Sequence, residues 1–262
     1  MATLDGSTAP VFSAAAAHLA RSPRTAVVWG VLLRDALVTY GRPDDSTHPL
    51  DIVDVGGGTG GFAVPLAEAG HRVTVVDPSP DALASLLRRA GETGAAVRAV
   101  QGDAAGLLEV VDAGSADLVL CHGVLEHVEE VRPAVESLVA VLRPGGTLSV
   151  LAAHRNAAVV ARAMAGRFAE ARHILDDPHG RWGQGDPLPR RFTEAGLLSV
   201  LGAAGLEVGS VHGVRTLADL APGADSAEAD PVEELVELEL ATTGLAEFRA
   251  VATQLHVLAS RV

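Results

Sequence analysis

A β-branched stretch that runs straight into a glycine-rich turn constrains this chain more than any other feature. It reads Asp51-Ile-Val-Asp-Val-Gly-Gly-Gly-Thr-Gly60, and a second such stretch, Val73-Thr-Val-Val-Asp77, follows. Glycines at 56, 58 and 60 carry no side chains, so backbone amides there can approach a bound molecule closely. The segment from Thr59 to Ala69 reads as a helix whose N-terminus faces that molecule. Asp77, ending the second strand, is placed to accept hydrogen bonds from a ribose diol. A nucleoside-containing ligand lying across two parallel strands is the expectation.

The choice of ligand turns on the acids. Gly56, Gly58 and Gly61 also satisfy a dinucleotide fingerprint, which keeps a nicotinamide or flavin site in view. Asp54, just before the first glycine, would repel a pyrophosphate and would suit an ammonium group. Asp103, after the mostly apolar Val97–Val100 stretch, can hold an adenine amino group. The run Leu142-Arg-Pro-Gly-Gly-Thr-Leu-Ser149 then turns a helix into a strand. These four features in order resemble the class I S-adenosylmethionine-dependent methyltransferases. The resemblance implies an enzyme with S-adenosyl-L-methionine as cofactor and no metal. Its fold would be α/β and Rossmann-like, a mostly parallel seven-stranded sheet with helices on both faces and an inserted helical cap.

The 262 residues, 48% hydrophobic and 3% aromatic, can build one aliphatic core of that kind. Strands are expected at 51–55, 72–76, 97–101, 116–121, 147–152, 206–212 and 253–260, the last antiparallel. Helices are expected at 60–69, 80–90, 104–110, 131–142, 156–175, 193–204 and 231–240. Their alternation, with strands that do not alternate in polarity, means a parallel sheet covered on both faces. One domain over 1–262 follows: N-terminal helices over 1–48, a cofactor-binding core over 49–152, a cap over 153–192, and the rest of the core over 193–262. No apolar run is long enough to span a bilayer. The start lacks a basic secretory region, so a cytoplasmic protein is expected. The lone Cys121 excludes an intrachain disulfide and reads as a buried apolar residue.

The net charge of −13 disfavours nucleic acid as a partner, yet its distribution is uneven. All twenty basic residues are arginine, and residues 155–215 hold eight arginines against six acids. Trp182 within that stretch would either stack on a base or pin its loop. Glu126 and His127 read as a solvated helix face.

Further motifs narrow the resemblance: His122-Gly-Val-Leu-Glu-His-Val128, Met164-Ala-Gly-Arg-Phe168, Pro189-Arg190, Gly213-Val-Arg215 and Glu234-Leu-Val-Glu-Leu-Glu239. Together they are similar to the bacterial tRNA 5-carboxymethoxyuridine methyltransferases, from about Arg24 to Arg261. The resemblance implies methylation of a wobble-uridine carboxylate, with tRNA as partner. Arg24, Asp54, Gly56, Gly57, Gly58, Gly60, Asp77, Asp103, Ala104 and His122 would bind the cofactor. Arg190 and Arg215 would orient the acceptor. Two departures stand against it. The family's lysine-rich stretch is Asp176-Asp-Pro-His-Gly-Arg-Trp-Gly-Gln184 here, and His154 and Asn156 occur in swapped order. A small-molecule methyltransferase of secondary metabolism and a non-catalytic cofactor-binding module are the alternatives. A homodimer is carried as an expectation without a residue basis.

Overall fold

The computed structural model describes residues 23–32, 49–220 and 229–262. Its strands are β1 (Asp51–Val55), β2 (Arg72–Asp77), β3 (Val97–Gln101), β4 (Ala116–His122), β5 (Leu142–Ala153), β6 (Leu206–Val214) and β7 (Gln254–Arg261). They form one sheet in the order β3-β2-β1-β4-β5-β7-β6. The first five are parallel, and β7 runs antiparallel between β5 and β6. Its helices are α1 (Pro23–Val31), α2 (Ala63–Glu68), α3 (Pro80–Thr93), α4 (Val131–Val141), α5 (Arg155–Met164), α6 (Phe168–Asp176), α7 (Glu194–Ala203), α8 (Ala229–Thr242) and α9 (Ala246–Arg249).

Strand side chains alternate between the two faces, so each strand feeds two cores. On one face Val53, Val55, Val119 and Cys121 meet Val135 and Leu138 of α4 and Leu197 and Leu201 of α7. On the other, Ile52, Leu118 and Leu120 meet Val28, Trp29 and Leu32 at α1, Val64 and Leu66 of α2 and Leu86 of α3. Each such aliphatic side chain taken from water contributes roughly 1.5–3 kcal/mol, so the sheet is held from both sides. The α3 helix starts at Ser79, whose hydroxyl accepts from Ala82 N, and stops at Gly94 in a left-handed conformation.

At the opposite edge from the glycine turn, Arg143 spans two acids, Asp117 at 2.5 Å and Asp51 at 2.8 Å. Arg72 holds Asp51 from the other side at 2.6 Å and draws its carboxyl down to about 2. Arg143 therefore ties the starts of β1, β4 and β5 together. This is why β5 begins at Leu142 rather than 147: Leu142 pairs with Ala116 ahead of a bulge, and pairing resumes at Thr147 with Leu118.

Other boundaries moved as well. The helix expected over 156–175 is two helices, α5 and α6, because Gly166 between them has φ +71°. The helix expected near 104–110 is one 3₁₀ turn, Leu107–Glu109. The short α9 had no sequence expectation. Most of the N-terminal helical segment lies outside the described residues, as does 221–228 of the acidic loop. Among the described residues no helix is long and apolar enough to cross a membrane.

Candidate active site

The carboxyl ends of β1, β2 and β4 meet at the glycine turn. Gly56 N donates to Val76 O, and Gly58 N donates to the Asp77 carboxylate at 2.9 Å, so the turn is stitched to β2. The other Asp77 oxygen accepts from Ser79 N at 2.9 Å. Each carboxylate oxygen keeps a further lone-pair direction for a ligand. Gly57 is a matter of room: a Cβ there would sit 2.5 Å from Asp54 Oδ2 and 3.0 Å from Val75 Cγ1. At Gly60 the backbone itself demands glycine, with φ +81° and a Cβ 2.3 Å from Leu86.

Two cavities share Gly56. The larger, about 710 Å³, is lined among others by Asp77, Asp103, Ala104, Val124 and Val128. Asp103 Oδ1 accepts from the amides of Ala105 and Gly106, which orients the carboxylate at the rim. The smaller, about 220 Å³, is lined by Thr25 and Val28 of α1, Asp54, Gly56, Gly57, Phe62, His122 and Leu151. A third cavity of about 860 Å³ lies at the amino ends of β1–β3, beside Arg72 and Asp112. It is away from the glycine turn and from the carboxyl ends of the strands, where ligands in open α/β sheets sit.

Asp54 is the site's least compensated group. It is buried, and its Oδ2 has no hydrogen-bond partner. Burial, with Asp77 adding repulsion, pushes its carboxyl up to about 7. A buried carboxylate oxygen without a partner fits a cationic ligand group and would repel a pyrophosphate. His122 closes this cavity. Its Nε2 meets Ser149 Oγ at 2.8 Å, and that hydroxyl meets His256 Nε2 at 2.7 Å. The row is in register across the sheet, His122 with Leu151, Leu151 with His256, and His256 with His212. Burial holds His256 far below the ordinary imidazole range, so that ring is neutral.

The geometry has its counterpart in known proteins. The family described as a methyltransferase domain matches residues 53–150. A ubiquinone biosynthesis O-methyltransferase of Azorhizobium caulinodans is 32% identical over 187 residues, 70% of each chain. This chain belongs to the class I S-adenosylmethionine-dependent methyltransferases. A tRNA 5-carboxymethoxyuridine methyltransferase of Escherichia coli O157:H7 is 29% identical over 243 residues, 91% of this chain and 88% of that one. A crystal structure of magnesium protoporphyrin IX methyltransferase from Synechocystis PCC 6803 with bound SAH shares the fold. Its TM-score is 0.57 at 18% identity, covering 99% of this chain and 90% of that one. The methyltransferase is an enzyme that uses S-adenosylmethionine, and the nicotinamide and binding-module alternatives fall away.

Of the residues expected to bind this cofactor, Asp54, Gly56, Gly57 and His122 line the smaller cavity and Gly56, Asp77, Asp103 and Ala104 the larger, whereas Gly58 and Gly60 line neither. The side chain of Arg24 lies outside the described residues. The two arginines expected near the acceptor are engaged otherwise. Arg190 donates to the carbonyls of Leu125, Val128 and Glu129, and Arg215 pairs with Asp219 at 2.5 Å. Arg215 also has φ +58°, the one non-glycine residue with positive φ among those described.

The arginine-rich stretch turns largely inward. Arg155 donates to the Ile174 and Leu175 carbonyls, Arg162 pairs with Glu170, and Arg191 grips buried Asp186 with both nitrogens. Arg167 shares Glu170, Arg181 reaches Gly183 O, and Arg172 stands exposed. Trp182 pins its loop, with the Arg162 guanidinium 4.2 Å above its ring. Glu126 is a correction. It is buried rather than solvated, because Leu125–His127 is a turn and Glu126 Oε1 accepts from Ala153 N at 2.6 Å. Cys121 is buried, and burial pushes its thiol up, out of nucleophile range.

One residue that the sequence marked only by its swapped order with Asn156 stands at the end of β5. His154 is buried, and its Nδ1 lies 3.0 Å from Ala252 O. It lines a further cavity of about 550 Å³ with Ala157, Ala161, Met164, Leu188 and Val251. Its position directly after a core strand was the available signal.

Proposed function

We propose that the methyltransferase transfers a methyl group to an oxygen of a compact, largely apolar small molecule held in the 550 Å³ cavity. That cavity carries the reading. Leu151 of β5 lines the cofactor side and Ala153 of the same strand lines the acceptor side. Two residues along a strand span about 7 Å, so the cavities adjoin along β5. The lining from α5 is alanine, valine and methionine, which suits an apolar body. The arginines that would neutralise phosphates are largely bound to carbonyls and acids of the chain itself, and the net charge of −13 opposes a polyanion. The relative from Azorhizobium, an O-methyltransferase by name, supports oxygen as the acceptor atom.

A second reading, the carboxylate of 5-carboxymethoxyuridine in tRNA, is favoured by the Escherichia coli relative that matches over 91% of the chain. One experiment separates them. The purified enzyme is incubated with methyl-labelled S-adenosylmethionine and either a metabolite extract or bulk tRNA containing the acid precursor. Label in the low-molecular-weight fraction is expected. Label appearing in tRNA nucleosides alone would replace this proposal by the second reading.

A further inference from the structure

Polar side chains cross the middle of the sheet where aliphatic ones surround them. Ser149 of β5 and His256 of β7 are both fully buried, and their cross-strand neighbours are Leu120, Leu151 and Leu258. Polar groups so deep cost stability unless they are bonded. Ser149 lies two residues before Leu151, which pairs with His122 on one side and His256 on the other. Residues two apart share a face of the sheet, so the hydroxyl stands diagonal to both rings. It reaches Nε2 of His122 at 2.8 Å and Nε2 of His256 at 2.7 Å.

Counting hydrogens gives the row a direction. A hydroxyl has one proton to give, so at least one ring must donate to Ser149 through Nε2. Were both to donate, the hydroxyl proton would be left over, since Ser149 has no third partner among the described residues. Burial, with His122 and His212 beside it, keeps His256 neutral, so it has one proton to place. Its Nδ1 has no partner among the described residues. A proton there would make an orphaned buried donor, whereas at Nε2 it is used. His256 therefore donates to Ser149, Ser149 donates to His122 Nε2, and the His122 proton falls on Nδ1.

We propose that Ser149 and His256 are positioning residues of the cofactor site, which fix the plane and the tautomer of the His122 ring. That ring lines the smaller cavity together with Asp54 and Phe62, and Phe62 packs against it at a near right angle. Tied at one nitrogen and packed against Phe62, it can neither turn over nor change tautomer without breaking the row. Each ligand thus meets the same shape and the same polar pattern. The amino-acid end of the cofactor enters here on the reading of Asp54 as its ammonium partner. The inference rests on that reading and is independent of the acceptor.

The test uses the whole enzyme labelled with 15N-histidine, at neutral pH and without ligand. His256 should be protonated at Nε2 and His122 at Nδ1, the rings being assigned from the spectra of His122→Gln and His256→Gln. Calorimetry then compares S-adenosylhomocysteine with adenosine, which lacks the amino-acid end. Ser149→Ala should weaken S-adenosylhomocysteine about three- to tenfold and leave adenosine at its wild-type Kd. His256→Leu should do the same, whereas His256→Gln, whose amide can still donate to Ser149, should stay close to wild type. The reverse placement of protons, on Nδ1 of His256 and Nε2 of His122, overturns the proposal. So does a wild-type Kd for S-adenosylhomocysteine in Ser149→Ala. Equal losses for the two ligands, or a His256→Gln as weak as His256→Leu, would reduce the row to packing and overturn it too. A wild-type Kd in Asp54→Asn would remove the ammonium reading and the proposal with it. The wild-type spectrum can overturn the proposal even where no variant folds.

Discussion

Asp54 combines three properties rarely found in one carboxylate: full burial, an oxygen without a partner, and a position against the glycine turn. Without ligand its carboxyl is protonated up to about pH 7. A ligand ammonium group would favour the ionised form, so binding below that pH must expel a proton. Affinity for S-adenosylhomocysteine should rise about tenfold per pH unit from 5 toward 7 and level off above. Calorimetry in buffers of different ionisation heat would count the released proton. Asp54→Asn should bind weakly and show a flat profile over the same range, and an unchanged slope in that variant would remove Asp54 from the ligand. The identity of this residue was legible in the sequence from its place before the glycines. Its missing partner was not, because that depends on what α1 and β2 bring around it.

Two elements shape the cofactor cleft, and each gives a prediction that separates it from a passive loop. In the glycine turn, Gly57→Ala would push a methyl group against Asp54 and Val75, both packed in the sheet. Overpacking of this kind costs about 1–3 kcal/mol, and cofactor affinity should fall at least tenfold since the displaced group is Asp54. A thermal melt and a cofactor titration of the same variant would report both. The loop after β4 is held by Arg190 through three carbonyls, and Val128 and Glu129 of that loop line the larger of the two cavities at the glycine turn. Arg190→Ala should therefore raise the Kd for cofactor by about ten- to a hundredfold, equivalent to 1–3 kcal/mol of lost bonds to a charged donor. If it changes acceptor KM alone, the sequence expectation for Arg190 was the better one. The strands of the core were legible because β-branched runs end in glycine or acid at regular intervals. The break between α5 and α6 was not, since alanine and arginine continue a helical pattern on both sides of Gly166. Glu126 was misread for a related reason: a carboxylate next to a histidine looks solvated until a strand end such as Ala153 claims it.

For the molecule as a whole, pH acts through groups that burial shifts in opposite senses. Burial lowers His71, His154 and His256 below the ordinary imidazole value. Each is neutral when folded, so the unfolded chain binds protons more readily. The stability they contribute is complete above about pH 6.5 and is lost as pH falls below it. Asp54 behaves inversely, because its folded value of about 7 lies above the model-peptide 3.8. Its contribution is complete below 3.8 and is lost as pH rises through 7, by at most about 4 kcal/mol. The net charge of −13 adds self-repulsion on the alkaline side. Above pH 7 Asp54 is ionised in both states and adds no further slope, so self-repulsion alone lowers the melting temperature of the apoenzyme there. Saturating S-adenosylhomocysteine should raise the melting temperature by an increment that grows from about pH 5 to 7 and is constant above, because an ammonium partner favours ionised Asp54 and does nothing for histidines in the sheet. Melting curves from pH 5 to 9, with and without that ligand, would show it. An increment that does not change between pH 5 and 7 would mean that the buried carboxylate takes no part in holding the ligand.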